Sequence, residues 1–530
     1  MGRVMRRIRG LFIALGTTAV LATGIAACGE EGGESSGGES GTLIHGTTDQ
    51  PVSYDPAGSY DLPSYNVIFN VYQNLLQVPP GGNAPEPEAA ESCDFTGNGA
   101  TTFECTLKDG LKFSDGSDLT SEDVKASFER NLEIADPQGA SSLYLNLKNI
   151  ETPDDKTVIF NLKADDATWP FLLTTGGAAI VPAEYPADKV QPSDEVIGSG
   201  RYAVEAYEPG QQTVLTANPE YTGDDPAQVD QVIIQYYDES STLKGAVEQG
   251  EVDIAYRSLS PTDIEDLQGA EEVTVEEGPG GEIRYLVFNL DLQEGGSDEQ
   301  KTAVRQAVAQ VIDRDSIAEN VYSGTAQPLY SMVPSGLEFH TEAFADEYGE
   351  APDVDAAKQT LADANVDTPV PLEVWWTPSH YGPASGDEYA EIKRQFDDSG
   401  LFETTLKSTE WNQYSEAAFT DKYPEYQLGW FPDYPDADNY TSSFYSKDSF
   451  LNIHYENPEM EKLLAEEKAS TDDATREQAF TGIQQLGAQD APTVPYIELS
   501  QIAVTGPGVE GVADTLDPSY IFRYWLVSKE

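Results

Sequence analysis

Apolar residues repeat along the chain with the spacing of helices in some segments and in short strand-like runs in others. In LTSEDVKASFERNLE, residues 119–133, they return every four positions from Val124 to Leu132. This spacing places them on one face of an α-helix. Thr120 stands just before the run and Asp123 follows it by three positions, which is the arrangement of a helix N-cap. The pattern predicts a helix that begins directly after Thr120.

Other segments show the patterns of a second helix and of strands. TAVRQAVAQVIDRDSIAENVY, residues 302–322, repeats the helical spacing through Val304 and Val308. GTLIHGTT (41–48) and QVDQVIIQYY (228–237) are short apolar runs bounded by polar residues, as strands are. Helical and strand-like segments alternate over the rest of the chain, which predicts an α/β protein with mixed sheets.

The first residues have the layout of an export signal. Four arginines precede an apolar stretch from Leu11 to Ala22, and small residues then lead to Cys28. The apolar stretch is too short for an ordinary transmembrane helix, so we predict a signal peptide over residues 1–27. Its ending, IAAC, resembles a bacterial lipobox, which predicts cleavage before Cys28 and a lipid anchor on that cysteine. A plain secretory signal is the alternative.

A Gly/Ser/Glu tract follows the lipobox. Residues 28–41 contain no apolar side chain beyond the cysteine and predict a flexible tether. The two remaining cysteines, Cys93 and Cys105, flank two strand-like runs around a Gly-Asn-Gly turn. Equal spacing from that turn places them opposite each other in a hairpin, and an exported protein keeps disulfides. We expect a disulfide, with free thiols as the alternative.

Length and charge limit the possible functions. At 530 residues the chain is too long for one core, which predicts two or three domains with a cleft between them. It carries 93 acidic against 30 basic residues, a net charge of −63, and this excludes nucleic acid as a partner. The acidity suits either a saline habitat or a field that attracts cationic solutes. Salt screens such a field within about 10 Å at 0.1 M, which favours the first explanation.

Enzyme motifs give no positive signal. The four histidines are scattered, and the chain shows no HExxH motif, no GxSxG nucleophile elbow between a strand and a helix, and no Walker A loop. We therefore predict neither catalysis nor a cofactor or metal. So acidic a sequence always offers two carboxylates that could be paired, and a secreted glycan hydrolase remains an alternative from a different class.

Several motifs together resemble one family. LKDGLKFSDGSDLTSEDVKASFER (107–130) resembles the signature of the extracellular solute-binding proteins of family 5, the dipeptide/oligopeptide-binding type that serves ABC importers. EQGEVDIAY (248–256), VRQAVAQVIDRDSI (304–317) and GWFPDYPDADNY (429–440) follow in the family order. The match extends along nearly the whole chain after the tether.

The resemblance implies a fold and a cellular role. The family has a two-lobed, periplasmic-binding-protein-like α/β fold (type II, cluster C) that closes on its ligand by a hinge motion. Matching segments assign lobe I to residues 42–74, 195–283 and 500–530, an extra domain to 75–194, and lobe II to 284–499. The implied protein is a monomer held outside the cell membrane by its lipid. It delivers a peptide or another small solute to an ABC permease with its ATPase subunits.

The resemblance also implies a ligand site. In peptide binders of the family, an aspartate after a Gly-Trp-x-x pattern binds the α-ammonium of the ligand, and Asp433 has this position after Gly429, Trp430 and Phe431. A buried ammonium needs a carboxylate partner, which fits the assignment. Backbone groups of residues 429–431 would pair with the ligand like an added strand. The nearby Asp436 and Asp438 are interpreted as turn formers.

Further positions follow from the same comparison. The expected ligand-binding residues from other segments are Tyr60, Asp61, Leu62, Trp376, His380 and Trp411. Trp375 and Trp376 end a predicted strand beside the cleft, and the sequence leaves open which of them faces the ligand.

One departure concerns the carboxylate of the ligand. Short-peptide binders of the family hold it with a basic residue, yet the matching positions here are Gln427 and Ala418. His380 or Arg257 could replace them. A longer peptide needs no such cation, and neither does an oligosaccharide stacked on Trp375, Trp376 and Trp430, which is the second candidate ligand. Nickel, carried by another branch of the family, suits a chain this poor in histidine less well.

Overall fold

Strands and helices alternate through the chain, as the sequence pattern predicts. The computed structural model describes residues 41–97, 99–257, 259–378 and 380–530. The predicted signal peptide, Cys28 and nearly all of the tether lie outside these ranges. The strands are β1 (Thr42–Thr47), β2 (Leu76–Gln77), β3 (Glu86–Pro87), β4 (Ala90–Phe95), β5 (Thr102–Leu107), β6 (Leu147–Glu151), β7 (Thr157–Leu162), β8 (Tyr202–Glu208), β9 (Gln212–Ala217), β10 (Gln231–Tyr236), β11 (Ile254–Tyr256), β12 (Thr274–Phe288), β13 (Ala326–Pro328), β14 (Val370–Trp376), β15 (Phe402–Ser408), β16 (Glu425–Trp430), β17 (Thr493–Thr505), β18 (Val509–Glu510) and β19 (Ser528–Lys529).

The α-helices lie between these strands and cover the sheets. They are α1 (Leu62–Val71), α2 (Ser121–Ile134), α3 (Trp169–Leu172), α4 (Ser240–Glu248), α5 (Pro261–Gln268), α6 (Asp298–Val311), α7 (Arg314–Asn320), α8 (Ala343–Tyr348), α9 (Val354–Asp363), α10 (Ser385–Ser399), α11 (Trp411–Ala418), α12 (Ser442–Tyr445), α13 (Pro458–Ala469) and α14 (Asp473–Asp490). No described helix has the length and apolar character needed to cross a bilayer.

A single mixed sheet joins most of the strands. Its order is β15-β14-β16-β12-β17-β11-β1-β10-β9-β8, with β13 paired to β17. The β1–β10, β1–β11, β14–β15 and β14–β16 pairs are parallel, and the other pairs are antiparallel. The prediction of mixed sheets is therefore confirmed.

The long strands β12 and β17 lie at the centre of this sheet. They are paired from Thr274–Thr505 to Val287–Thr493, with an irregularity between Gly278 and Glu282. At Gly280 a Cβ atom would lie 1.6 Å from the carbonyl oxygen of Leu499. Only glycine permits this close approach, so the irregularity is fixed by the sequence.

Separate hydrophobic cores lie on the two sides of this strand pair. One packs around β1, β10 and β11 with the C-terminal segment and includes Leu43, Val232 and Phe522. Another packs α6 and α10 against β14 and includes Val308 and Phe396. Both halves of the sheet thus have their own buried apolar side chains, which is how two lobes on one chain are stabilised.

A smaller antiparallel sheet, β4-β5-β7-β6, stands apart from the main sheet. Its first hairpin pairs Cys93 with Cys105, and the two sulfurs form a disulfide. The disulfide predicted from the hairpin spacing is confirmed. Helix α2 packs on this sheet and begins at Ser121, directly after Thr120, whose N–H donates to Asp123 Oδ2 at 2.8 Å. The predicted helix start is also confirmed.

Candidate functional site

A cavity of about 650 Å³ opens beside the centre of the main sheet. Its lining includes Asp49, Arg257 and Tyr520 from one set of segments and His380, Tyr381 and Phe431 from another. The cavity therefore lies between segments from distant parts of the sequence, on either side of β12 and β17. It is the natural candidate for a ligand site.

Arg257 lines this cavity directly after β11. Its Nε donates to Asp49 Oδ2 at 2.9 Å, and its guanidinium lies over the ring of Phe431, 4.9 Å from the ring centre. The residue has a φ of 63°, a backbone conformation that side chains larger than glycine rarely adopt. These contacts hold the guanidinium in one plane against the cavity wall.

A second arginine, Arg284, lies beneath the cavity within β12. It is paired with Glu282, donates to the carbonyl of Tyr381 at 3.1 Å and stacks on the Tyr381 ring. The side chain is only 1% exposed. Its Nη1 lies 2.5 Å from where a Cβ on Gly429 would be, so glycine at 429 makes room for the guanidinium.

A polar network continues behind Arg284. Glu388 is fully buried and accepts hydrogen bonds from Tyr322, Tyr496 and Gln427. Burial raises the pKa of Glu388, while the charge of Arg284 acts in the opposite direction. These hydrogen bonds hold the buried side chains next to Arg284 in fixed positions.

Asp433 lies two residues beyond Phe431 and is half-buried. Its Oδ1 accepts from the hydroxyl of Tyr60 at 2.6 Å, and its Oδ2 accepts from Asn439 Nδ2 at 3.0 Å. Burial raises the pKa of Asp433, against the lowering effect of these two donors. No Lys, Arg or His within the described ranges forms an ion pair with this carboxylate, so it can receive a cation from outside.

The other two aspartates of the same loop have protein partners. Asp436 forms a bidentate ion pair with Arg476, with N–O distances of 2.7 and 3.0 Å. Asp438 accepts from Tyr434 at 2.8 Å and lies 3.8 Å from Lys468. Asp436 also accepts from the Asp438 N–H, which is a turn hydrogen bond. These two residues hold the loop on α13 and α14, and Asp433 alone of the three is free of a cation among the described residues.

The family model of bacterial extracellular solute-binding proteins, family 5 (middle), matches residues 84–452. The chain belongs to this family. Among its relatives, the dipeptide-binding protein DppE of Bacillus subtilis (strain 168) is 23% identical over 548 residues, covering 96% of each chain. Heme-binding protein A of Haemophilus influenzae is 26% identical, covering 90% of this chain and 91% of that protein.

A solved family structure has the same architecture. The ABC transporter-associated periplasmic binding protein DppA from Helicobacter pylori, in complex with the peptide STSA, superposes with a TM-score of 0.77 at 22% identity. The match covers 92% of this chain and 98% of that one. The predicted two-lobed α/β fold of the family is confirmed.

The other residues that the family resemblance singled out are spread around the cavity of this family 5 protein. Tyr60 is 40% exposed and reaches Asp433. Asp61 caps α1 by accepting from Ser64 N–H at 2.8 Å, and Leu62 is the first residue of that helix. Asp61 and Leu62 thus set the start of α1, which positions the Tyr60 backbone.

The aromatic candidates differ in their positions. His380 lines the cavity and stacks on Trp411 at 3.7 Å between ring centres. Partial desolvation lowers the pKa of His380 to about 4, and the charges of Arg284 and Arg257 act in the same direction. Trp411 supports the His380 ring from behind.

The remaining tryptophans pack against the protein and are not in the cavity wall. Trp430 packs on Phe444 and Phe450 and donates to Asn439 Oδ1 at 2.9 Å. Trp375 stacks on Tyr423 at 4.1 Å, and Trp376 packs beside Gly386 of α10. Of the predicted ligand-binding residues, only Phe431 and His380 line the cavity itself.

Several cavity residues were not anticipated from the sequence. They are Asp49, Glu282, Arg284, Tyr381 and Tyr520. One signal was available: Arg284 interrupts the apolar run from Ile283 to Phe288, and a charge inside such a strand indicates a buried partner. Within the described ranges, no group of His, Cys, Asp and Glu residues has the arrangement of a metal site.

Proposed function

We propose that this protein captures peptides between its two lobes, with the ligand ammonium at Asp433 beside the cavity, and delivers them to the permease of an ABC importer. The observation that carries the proposal is Asp433. Its carboxylate is held in place by Tyr60 and Asn439 but is paired with no cation in the described chain. The α-ammonium of a peptide would supply the missing charge through a strong charge-assisted hydrogen bond.

Family membership alone leaves the ligand open. DppE is named for dipeptides, whereas heme-binding protein A is named for heme. An oligosaccharide would need exposed aromatic faces for stacking. Trp375 and Trp430 are instead stacked on aromatic residues of the protein itself, and neither lines the cavity. The tryptophans on which the oligosaccharide alternative rested thus do not line the cavity.

The cellular setting follows from the family and from the first residues of the chain. The family is extracellular by its description. We infer that residues 1–27 are removed and that the lipid on Cys28 anchors the protein through the tether of residues 28–41. We further infer a monomer that binds and releases its solute without chemical turnover. On the proposed lobe boundaries, the long strands β12 and β17 form the connection about which the lobes move.

Native mass spectrometry tests the proposal. The protein lacking residues 1–27 is purified from rich medium, and whatever it retains is fragmented. The expected result is a set of peptide masses that is lost in Asp433→Ala and retained in Glu466→Gln, a variant of an exposed carboxylate on α13. Carbohydrate masses that persist in Asp433→Ala would contradict peptide binding and leave solute binding intact.

A further inference from the structure

On the proposed boundaries, the extra domain of residues 75–194 is fixed to lobe I by buried ion pairs. Arg130 of α2 donates to both oxygens of Asp55, at 2.7 and 2.6 Å. Arg201 pairs with Glu88 at 3.1 Å, and the four side chains are at most 9% exposed. Breaking such a pair would leave an uncompensated buried charge. The extra domain and lobe I should therefore move as one body.

The contact of the extra domain with lobe II is centred on Tyr434, the residue after Asp433. The Tyr434 side chain is only 6% exposed, and it packs into the hydrophobic core of the extra domain. Its ring centre lies 5.9 Å from that of Phe171 in α3. A residue of lobe II thus completes the core of a domain that is fixed to lobe I.

A second contact joins the same two parts. The N–H of Ala167 donates to the carbonyl of Lys468 in α13 at 2.8 Å. Within lobe II, the hydroxyl of Tyr434 donates to Asp438 at 2.8 Å, and Asp438 lies 3.8 Å from the ammonium of Lys468. The two contact points are therefore tied to each other. Ala167, Phe171, Tyr434 and Lys468 together are called the clasp.

The clasp is next to the proposed ligand carboxylate in the chain. Asp433 accepts from Tyr60 of lobe I at 2.6 Å, while its neighbour Tyr434 is buried in the extra domain. Separation of the lobes about β12 and β17 would pull Tyr434 out of this core and expose its ring to water, which is unfavourable. Keeping the ring buried therefore favours the arrangement in which the lobes stay together.

We propose that the extra domain holds lobe II against lobe I through the clasp, and so stabilises the arrangement in which the two lobes enclose a solute. The extra domain acquires a role in solute retention although the clasp itself does not line the cavity. The inference rests on the proposed function only in that a solute is enclosed between the lobes, and it does not require that solute to be a peptide.

Spin labels measure whether the lobes are clasped. Leu145→Cys in the extra domain and Glu466→Cys in α13 place one label on each side of the clasp, at exposed positions. The protein lacks residues 1–28, so that Cys28 carries no label, and Cys93 and Cys105 are joined in their disulfide. In the ligand-free protein, pulsed electron paramagnetic resonance gives the ratio of separated to clasped molecules.

Phe171→Ala removes the aromatic partner of Tyr434 and leaves lobe II unchanged. An aromatic pair changes an equilibrium constant by about 3- to 10-fold. The ratio of separated to clasped molecules should rise by this factor relative to the wild type. The affinity for a pool of randomised L-tripeptides, measured by native mass spectrometry, should fall by up to the same factor, because binding must also draw the separated lobes together.

Phe95→Ala is the matched control. Phe95 and Phe171 are both half-buried against the core of the extra domain, but Phe95 stacks on Phe103 within the β4–β5 hairpin. Its loss should loosen the extra domain and leave both the ratio and the affinity at their wild-type values. Phe171→Leu keeps an apolar side chain beside Tyr434, and it should lie between the wild type and Phe171→Ala.

The contradicting outcomes are distinct. Equal ratios in the wild type and Phe171→Ala, or the same rise in Phe95→Ala, overturn the clasp while peptide binding stands. An unchanged tripeptide affinity in Phe171→Ala overturns its role in solute retention. If the wild-type protein does not bind the tripeptide pool, it is the peptide assignment of the proposed function that fails, and the ratio of separated to clasped molecules still decides the clasp.

Discussion

Asp433 and Asp438 lie in one acidic loop, yet their surroundings differ. Burial would raise the pKa of Asp438, but Lys468 and its hydrogen-bond donors hold the value at about 2. At Asp433 the effect of burial prevails and the pKa is raised. A buried carboxylate whose pKa is raised and that has no cationic partner among the described residues favours a cationic ligand. The positive charge of the ligand offsets the free-energy cost of keeping the carboxylate ionised.

This difference predicts a pH dependence of binding. The ammonium binds only the ionised form of Asp433, so peptide affinity should fall as the pH drops through the pKa of this residue, which is raised above its usual value of 3.8. Calorimetric titrations between pH 7 and pH 4 check this. In Asp433→Asn the affinity should be weaker and nearly independent of pH over this range. An equally steep pH profile in that variant would contradict the assignment.

A second prediction concerns Glu467, which is fully buried beside Asp438 and Asp436. Burial raises its pKa well above the usual value, and the two aspartates add to the effect. The folded state therefore holds a proton that the unfolded state loses above about pH 4.5. The contribution of Glu467 to stability is largest below that pH and is lost as the pH rises towards its folded pKa.

Glu467→Gln should therefore stabilise the protein at pH 8 relative to the wild type, and the gain should shrink towards pH 4. Each unit of pKa shift corresponds to about 1.4 kcal/mol in the free energy of unfolding. Urea unfolding at both pH values measures the difference. Glu466→Gln, at the exposed neighbouring position, is the control and should show little change. Destabilisation of Glu467→Gln at both pH values would contradict the buried-proton account.

Site residues were predictable only where a local motif carried them. Asp433 was singled out because it follows the Gly-Trp-x-x pattern of the family's peptide binders, and its role stays a prediction. Arg257 was named only as a possible substitute, and its contacts to Asp49 and Phe431 join residues more than 170 positions apart. Such contacts arise from the folding of distant segments, and no spacing in the sequence records them.

At the scale of elements, helix and hairpin signals were reliable. The cap at Thr120 set the start of α2, and the turn near residue 99 set the Cys93–Cys105 pair. The helical run at 302–322 is interrupted, since α6 ends at Val311 and Asp313 caps α7 by accepting from Ser316 N–H at 3.0 Å. Apolar spacing continues through this break and does not reveal it; the cap residue does.

The irregular pairing of β12 and β17 gives a prediction about an element. In Gly280→Ala the new methyl group would meet the Leu499 carbonyl at 1.6 Å, so the strands must separate. We expect a loss of more than about 2 kcal/mol in the free energy of unfolding, measured in urea. Gly245→Ala in α4 is the matched control. Its nearest contact is a flexible Gln249 side chain at 3.5 Å, and it should gain about 0.5–1 kcal/mol. Equal stability of the two variants would contradict this account of the junction.

At the scale of the whole molecule, charge is the dominant feature. With a net charge of −63, the carboxylates of the folded protein repel one another, and dissolved salt weakens that repulsion. The urea midpoint should therefore rise between 20 mM and 1 M KCl. No gain in stability with salt would count against adaptation to a saline habitat.

The fold class could be predicted from the sequence because motifs of the family occur in the family order along nearly the whole chain. The ligand was less accessible, because the cavity is built from loops of both lobes and a few side chains determine what it accepts.

The most direct test of the account is the affinity of one co-purified peptide compared with its N-acetylated form, measured by calorimetry. Acetylation removes the ammonium, so the wild-type protein should lose about 10-fold or more in affinity. Asp433→Asn should bind both forms with similar, weaker affinity. If the wild-type protein binds the acetylated peptide as tightly as the free one, Asp433 does not receive the ligand ammonium and the central claim is wrong.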